Sequence, residues 1–228
     1  MNLKNNKKAK QAAADAAVQL VKEGMVIGLG TGSTATYFIE ALGKLANEGM
    51  KFTAVATSTS SYDLAKSFGI SMIDINTVTS LDLVVDGADE IDNQNQMIKG
   101  GGAALFREKI IAGMAEEMVV VVDESKIVDY LGKFPLPIEI TPFAFKVTMR
   151  ELEKFGSKAT LRSTRDGLPL LTENHNFIVD LKLNYPCENQ EETHVKIKLI
   201  TGVCETGLFI NMAGRIIIGY DDGHVEIR

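Results

Sequence analysis

Cysteine is scarce in this chain: among 228 residues only Cys187 and Cys204 occur, at neither metal-ligand nor redox spacing. That excludes a cysteine-rich scaffold and points to free thiols in a reducing, cytoplasmic compartment. No apolar run approaches the roughly 20 residues of a membrane span. The start, MNLKNNKKAKQAAADAA, carries lysines but no apolar core of signal-peptide type. Neither a membrane nor secretion is therefore expected. Positive charge is also short, with 24 Lys and Arg against 30 Asp and Glu and a net charge of −6. Without a long basic run, nucleic acid is not an expected partner, although a local basic pocket for an anion stays open. The three histidines, His175, His194 and His224, lie apart from any serine or cysteine nucleophile pattern and read as ordinary surface or core residues. What is present is globular: 45% hydrophobic and 24% charged residues argue against disorder.

Residues 8–23 place Ala12, Ala13, Ala16, Ala17, Leu20 and Val21 on one helical stripe that Gly24 would cap. MVIGL then reads as a buried strand, TATYFIEALGKLANEG as a helix, FTAVATS as a strand, SYDLAKSFG as a helix and ISMIDI as a strand. LDLVVD and MVVVVD are further buried strands, separated by the helix AALFREKIIAGMAEE. Strands alternating with helices of this length predict parallel βα units, an α/β class with a Rossmann-like sheet domain. After Lys133 the pattern changes. FPLPIEITP holds three of the five prolines and predicts an extended connection into a second region. There a helix over 143–155, a strand at KATLRS, a turn at RDGLP, a strand at NFIVDLKL, a helix near ETHVKIKLI and a strand near TGLFI follow. That order predicts a split βαβ unit, a smaller ferredoxin-like α+β domain. The tail GRIIIGYDDGHVEIR reads as two strands around an Asp-Gly turn that return to the first domain. The expected domains are 1–132 with 205–228, and 133–204.

GLGTGSTA, residues 28–35, follows the first strand. A dinucleotide fingerprint needs G-x-G-x-x-G and an acidic residue about 20 positions on. Gly28 and Gly30 fit, but Ser33 replaces the third glycine and the next strand ends in the hydroxyl-rich ATSTSS. What remains is a glycine turn with Thr31, Gly32, Ser33 and Thr34 at a helix start, suited to one phosphate or carboxylate. The alternative is a tight turn with Ser33 or Thr34 as an ordinary N-cap. In LDLVVDGADEID, Asp86 ends a buried strand, the edge where open α/β sheets bind ligands, and Asp89 follows across Gly87 and Ala88. The calcium-loop spacing fails, and no nearby His or Cys suggests zinc. Glu90 and Asp92 read as solvated loop charges. In MIKGGGAALFREKIIAGMAEE, Lys99 and the run Gly100, Gly101, Gly102 precede a helix start that favours an anion or developing oxyanion. Glu108 falls on that helix's apolar face with Ala104, Leu105, Ile111, Ala112 and Ala115. A carboxylate there is paired with a buried cation, sits at the rim of the stripe, or is set in a cleft as a general base. Lys126, after VVVVDES, stands beyond another strand's carboxyl end, as a phosphate ligand or a solvated lysine.

Together GLGTGSTA, VDGADEID, IKGGGAALFREK, VDESK and LGKFPLPIE resemble the ribose-5-phosphate isomerase A family, in the same order along essentially the whole chain. The resemblance implies interconversion of D-ribose 5-phosphate and D-ribulose 5-phosphate, in the non-oxidative pentose phosphate pathway, with neither metal nor organic cofactor. It implies that Thr31 to Thr34 bind phosphate with Lys126 and Lys10. Asp86 to Asp89 would line the sugar, the two aspartates contacting hydroxyls and assisting ring opening. Lys99 and Gly100 to Gly102 would face the reacting oxygens, Glu108 would accept the proton, and the chain would form a homodimer. NYPCENQEETHVKIKLITGVCETGLF departs from the family's usual PGV…TGLF approach to its last strand. A phosphosugar sensor and a nicotinamide-dependent dehydrogenase are the rival classes, the latter lacking its third glycine and ribose carboxylate.

Overall fold

A computed structural model describes residues 6–184 and 186–228. In chain order these form α1 (Lys7–Val18), β1 (Val26–Leu29), α2 (Ser33–Asn47), β2 (Thr53–Ala56), α3 (Thr59–Ser67), β3 (Ser71–Met72) and β4 (Leu81–Asp86). Then come β5 (Glu90–Ile91), β6 (Met97–Ile98), α4 (Leu105–Met114), β7 (Ala115–Asp123), β8 (Leu136–Ile140), α5 (Phe145–Leu152) and β9 (Gly156–Leu161). The remainder is β10 (Phe177–Leu183), α6 (Gln190–Lys198), β11 (Val203–Thr206), β12 (Leu208–Phe209), β13 (Arg215–Gly219) and β14 (Val225–Ile227). Among the described residues no helix is long and apolar enough to cross a membrane.

The chain divides into two compact units. The first runs to Gly87 and includes Arg107–Lys126 and Met212–Arg228; the second comprises Ala88–Phe106 and Ile127–Asn211. Its longer segment starts at Ile127 and ends at Asn211, against the expected 133 and 204. Residues 88–106, expected with the sheet domain, fall in the second unit because β5 and β6 form a small sheet with β12, in which Ile98 pairs with Leu208.

In the first unit seven strands take the order β14-β13-β7-β4-β1-β2-β3. All neighbours are parallel except the terminal β13–β14 pair. Without that edge strand this is the 3-2-1-4-5-6 order of a doubly wound sheet, and the chain reverses direction across the sheet between β1 and β4. The strands carry near-continuous apolar runs because helices cover both faces. Ile27, Leu29, Leu83, Val85, Val119, Val121 and Phe38 share one buried cluster, and enclosing a side chain such as Phe38 is worth about 1.5–3 kcal/mol. The tail hairpin joins this sheet as expected.

α1 is shorter than its expected span and buries Ala9, Ala13, Ala14, Ala17 and Val18, while Ala12 and Ala16 stay half-buried. Past Val18 the chain tightens, with Leu20 N–H bonding Ala17 C=O at 3.0 Å, so Gly24 turns the chain into β1 and caps no helix. Gly219 explains the close seat of α1: a Cβ there would stand 1.9 Å from Ala9 O. The ISMIDI strand shrinks to the two residues of β3 at the sheet edge.

The second unit has the order βαββαβ over β8, α5, β9, β10, α6 and β11, in an antiparallel sheet β11-β8-β10-β9. This is the ferredoxin-like arrangement, with two corrections. FPLPIEITP is no connection: it contains β8, a central strand whose five residues are all buried. Proline is rare in central strands because it donates no ladder hydrogen bond, and here Pro137 serves as an acceptor, from Gly207 N–H at 2.7 Å. The last strand of this four-stranded sheet is β11, which ends at Thr206, the first residue of TGLFI, while Leu208 and Phe209 of that stretch pair with β6.

Candidate active site

In the first unit the carboxyl edge at the β1/β4 reversal carries the glycine turn. Gly30 N–H bonds Val85 C=O at 2.9 Å, and Gly32, at φ 111°, caps α2 with no side-chain cap bond. Neither Ser33 nor Thr34 is therefore the N-cap, and the first turn of a 15-residue helix keeps its anion-binding character. Thr31 contributes differently from expectation. Its hydroxyl lies 2.7 Å from both Thr57 Oγ1 and Ser58 Oγ, and Ser61 Oγ donates to Gly30 C=O at 2.7 Å. The ATSTSS hydroxyls thus brace the turn from the end of β2. Gly32 and Ser33 are exposed, Thr34 is buried, and Lys10 Nζ donates to Ser33 Oγ at 2.9 Å. Lys126 closes the short turn after β7, two strands from β1 in the sheet. Just before it, Asp123 accepts from Asn6 Nδ2 at 2.7 Å and from Ser125 N at 3.1 Å. Burial pushes the Asp123 carboxyl up, but the bonds from Ser125 and Asn6 together outweigh it and hold the group below the ordinary range.

Asp86 ends β4 at the same edge and is buried. Its Oδ1 accepts from Thr31 N–H at 3.0 Å and Gly87 N–H at 2.7 Å, so one oxygen is held by the glycine turn itself. Gly30 permits this: a Cβ there would lie 2.1 Å from that oxygen. Glu108, in the first turn of α4, is 4% exposed, with Leu105, Ile111 and Ala112 buried along the same face. That face packs on β1, where a Cβ on Gly28 would stand 2.7 Å from Ile111 Cγ2. Because α4 leads directly into parallel β7, it runs counter to the strands and starts at their carboxyl edge. The first unit therefore brings Glu108, Asp86 and the glycine turn to one edge.

In the second unit Asp89 Oδ2 accepts from Gly101 N–H at 2.7 Å, and a Cβ on Gly101 would fall 2.4 Å from Asp89 Oδ1. Lys99 is 2% exposed, its N–H bonds Gly207 C=O at 2.9 Å, and its ammonium stands 5.3 Å from the Phe209 ring centroid. Gly100 needs its φ of 106° to turn the chain after Lys99. Glu90 and Asp92 are not solvated: both are buried. Glu90 accepts from Gly132 N–H at 2.8 Å and Phe134 N–H at 2.5 Å, and burial pushes its carboxyl up against those bonds. Asp92 accepts from Gln94 and Gln96 N–H, each at 2.9 Å, and from Gln190 Nε2 at 2.8 Å. These two carboxylates lock loops. One contact with no sequence signal is that of Arg162, whose guanidinium reaches the Gly100 and Gly101 carbonyls.

In the first unit a buried carboxylate at a helix start and a second carboxylate held by a glycine turn share one sheet edge, and carboxylates so placed are groups that can move a proton. The family model described as ribose 5-phosphate isomerase A (phosphoriboisomerase A) matches residues 53–223. The chain belongs to the ribose-5-phosphate isomerase A family. It is 50% identical over 220 residues to ribose-5-phosphate isomerase A of Protochlamydia amoebophila, covering 96% of this chain and 95% of that one. The Bacillus mycoides enzyme is 47% identical, with 95% and 98% covered. Among solved structures, ribose 5-phosphate isomerase A of Methanocaldococcus jannaschii superposes with a TM-score of 0.90 at 38% identity, covering 96% of this chain and 97% of that one. A D-ribose-5-phosphate isomerase in complex with phospho-erythronic acid gives a TM-score of 0.91 at 40% identity, covering 100% and 99%. The family interconverts ribose 5-phosphate and ribulose 5-phosphate, a pentose phosphate pathway reaction, and membership excludes the dehydrogenase reading.

Proposed function

We propose that this chain carries out the family's isomerisation through an enediolate, with Glu108 as the proton-transferring base. The observation that carries the assignment is the burial of Glu108 in the first turn of α4, at the sheet edge that also bears Asp86 and the glycine turn. The N–H groups of Gly32, Ser33 and Thr34, with Lys10 and Lys126, hold the phosphate, while Thr31 braces the turn through Asp86, Thr57 and Ser58. Asp86 and Asp89, with the Gly87-Ala88 backbone, hold the sugar hydroxyls and assist ring opening. Lys99 and the Gly100 to Gly102 turn face the oxygens on C1 and C2.

In the forward direction Glu108 takes the proton from C2 of the open-chain aldose, leaving an enediolate. The same carboxyl returns a proton to C1, while the C2 hydroxyl loses its proton and the oxygen on C1 gains one. Charge gathers on those oxygens between the two transfers, where a lysine and backbone donors lower the barrier most. A positioned base contributes about 10²–10⁴-fold. Phospho-erythronic acid, the ligand of one related structure, pairs a phosphate with a carboxylate. That supports a site built for a phosphate at one end and an anionic intermediate at the other. The enzyme works as a homodimer in the cytoplasm. Purified chain is expected to convert ribose 5-phosphate to ribulose 5-phosphate after exhaustive EDTA treatment; no conversion, or conversion only with added metal or nicotinamide cofactor, refutes this reading.

A further inference from the structure

We propose that Arg162 is a positioning residue for the reaction, fixing the peptide planes of the Gly100–Gly102 turn and, through them, Asp89. This rests on the reading of Asp89 and the turn as part of the substrate site. Arg162 follows β9, and its side chain is only 16% exposed. Its Nε donates to Asp180 Oδ2 on β10 at 2.9 Å and Nη2 pairs with Asp180 Oδ1, so both carboxylate oxygens are gripped. Nη1 donates to the carbonyls of Gly100, at 2.8 Å, and Gly101, at 3.1 Å.

In a planar trans peptide each carbonyl points opposite to the next residue's N–H. Holding the Gly100 carbonyl thus aims Gly101 N–H, which meets Asp89 Oδ2 at 2.7 Å. Holding the Gly101 carbonyl turns Gly102 N–H away from the guanidinium. Three successive glycines have no side chains to set these planes and lose the most freedom on ordering, so the constraint must come from outside the turn. Asp180 keeps the guanidinium in place. Only a planar fork can serve a carboxylate on one edge and two carbonyls on another; a lysine ammonium cannot.

The test combines steady-state kinetics with amide hydrogen exchange on wild type, Arg162→Met and Arg162→Lys. Arg162→Met is expected to lose about 10–10²-fold in kcat, the penalty of displacing reacting groups by roughly 1 Å. KM stays within about threefold, because phosphate binding belongs to the other unit's turn. Arg162→Lys is expected to restore little. Exchange at Gly101 N–H should accelerate at least about tenfold in Arg162→Met as the turn loosens. A merely structural arginine would lower the melting temperature while leaving kcat per folded molecule and Gly101 exchange unchanged, and that result overturns the proposal. Should wild type fail to isomerise, the functional reading falls, whereas unchanged Gly101 exchange would still overturn the role given to Arg162. If Arg162→Met does not fold, Asp180→Asn, which leaves the arginine but frees its fork, is read the same way: slower turnover with faster Gly101 exchange supports the proposal, and neither overturns it.

Discussion

Alanine at Gly30 isolates the geometry of Asp86 from every other property of the glycine turn. Gly30 lies outside the left-handed region, so alanine fits its backbone. The new Cβ, however, would stand 2.1 Å from Asp86 Oδ1, 2.2 Å from Cγ and 2.5 Å from Cβ. A relaxed carbon–oxygen contact needs about 3.3 Å, so the carboxylate must retreat by roughly 1.2 Å. The bond from Thr31 N–H, now 3.0 Å, then passes beyond hydrogen-bond range. Displacement of this size in a reacting site costs about 10²-fold in kcat. Overpacking costs about 1–3 kcal/mol, a fall of roughly 2–12 °C in melting temperature for a chain of this size. Gly24→Ala is the matched control: Gly24 has φ 84° and nothing within 4 Å of a Cβ, so it suffers backbone strain alone. Its melting loss should be similar and its kcat unaltered. The assay is initial-rate conversion of ribose 5-phosphate, normalised to folded protein. If Gly30→Ala retains kcat within about threefold of wild type, far short of the expected positional penalty, Asp86 does not act from this position.

Lys126→Ala is expected to raise KM for ribose 5-phosphate roughly tenfold with little change in kcat, the signature of lost uniform binding. Unchanged KM together with unchanged inhibition by inorganic phosphate would remove its anion role. Asp123 supplies a pH prediction: because its folded-state pKa is depressed, its stabilisation is present above the ordinary carboxylate pKa and is lost as pH falls through the folded value. The melting gap between wild type and Asp123→Asn should accordingly be widest near about pH 7 and close in acid; a gap that is constant with pH contradicts the assignment.

The sheet domain was legible because its strands are near-continuous apolar runs and its helices keep a 3.6-residue stripe, both local signals. Glu108 stood out for the same reason, as a charge at the wrong phase of a stripe. The ferredoxin-like order was legible apart from its first and last strands. Pro137 disguised β8, since a ladder that uses the proline only as an acceptor leaves no local trace. At the other end, TGLF carries a strand signal that the structure spends on a separate pairing with β6. Glu90 was misread because its donors, Gly132 and Phe134, lie 42 and 44 residues away; Asp92 has local donors in Gln94 and Gln96, but its third, Gln190, lies 98 residues away. The dependence of Asp86 on Gly30, and the contact of Arg162 with the Gly100–Gly102 turn, are likewise tertiary. The sequence supplies the groups, but only the fold says which backbone holds them. Thr31 shows the converse: its type and place suggested a phosphate ligand, yet its hydroxyl is turned to Thr57 and Ser58.

The measurement that bears most directly on the account is kcat for Glu108→Gln, a change that keeps the side chain's shape and removes only its basicity. A loss of at least about 10²-fold is expected, with KM close to wild type. A variant that turns over ribose 5-phosphate at the wild-type rate would contradict the central claim that Glu108 moves the proton.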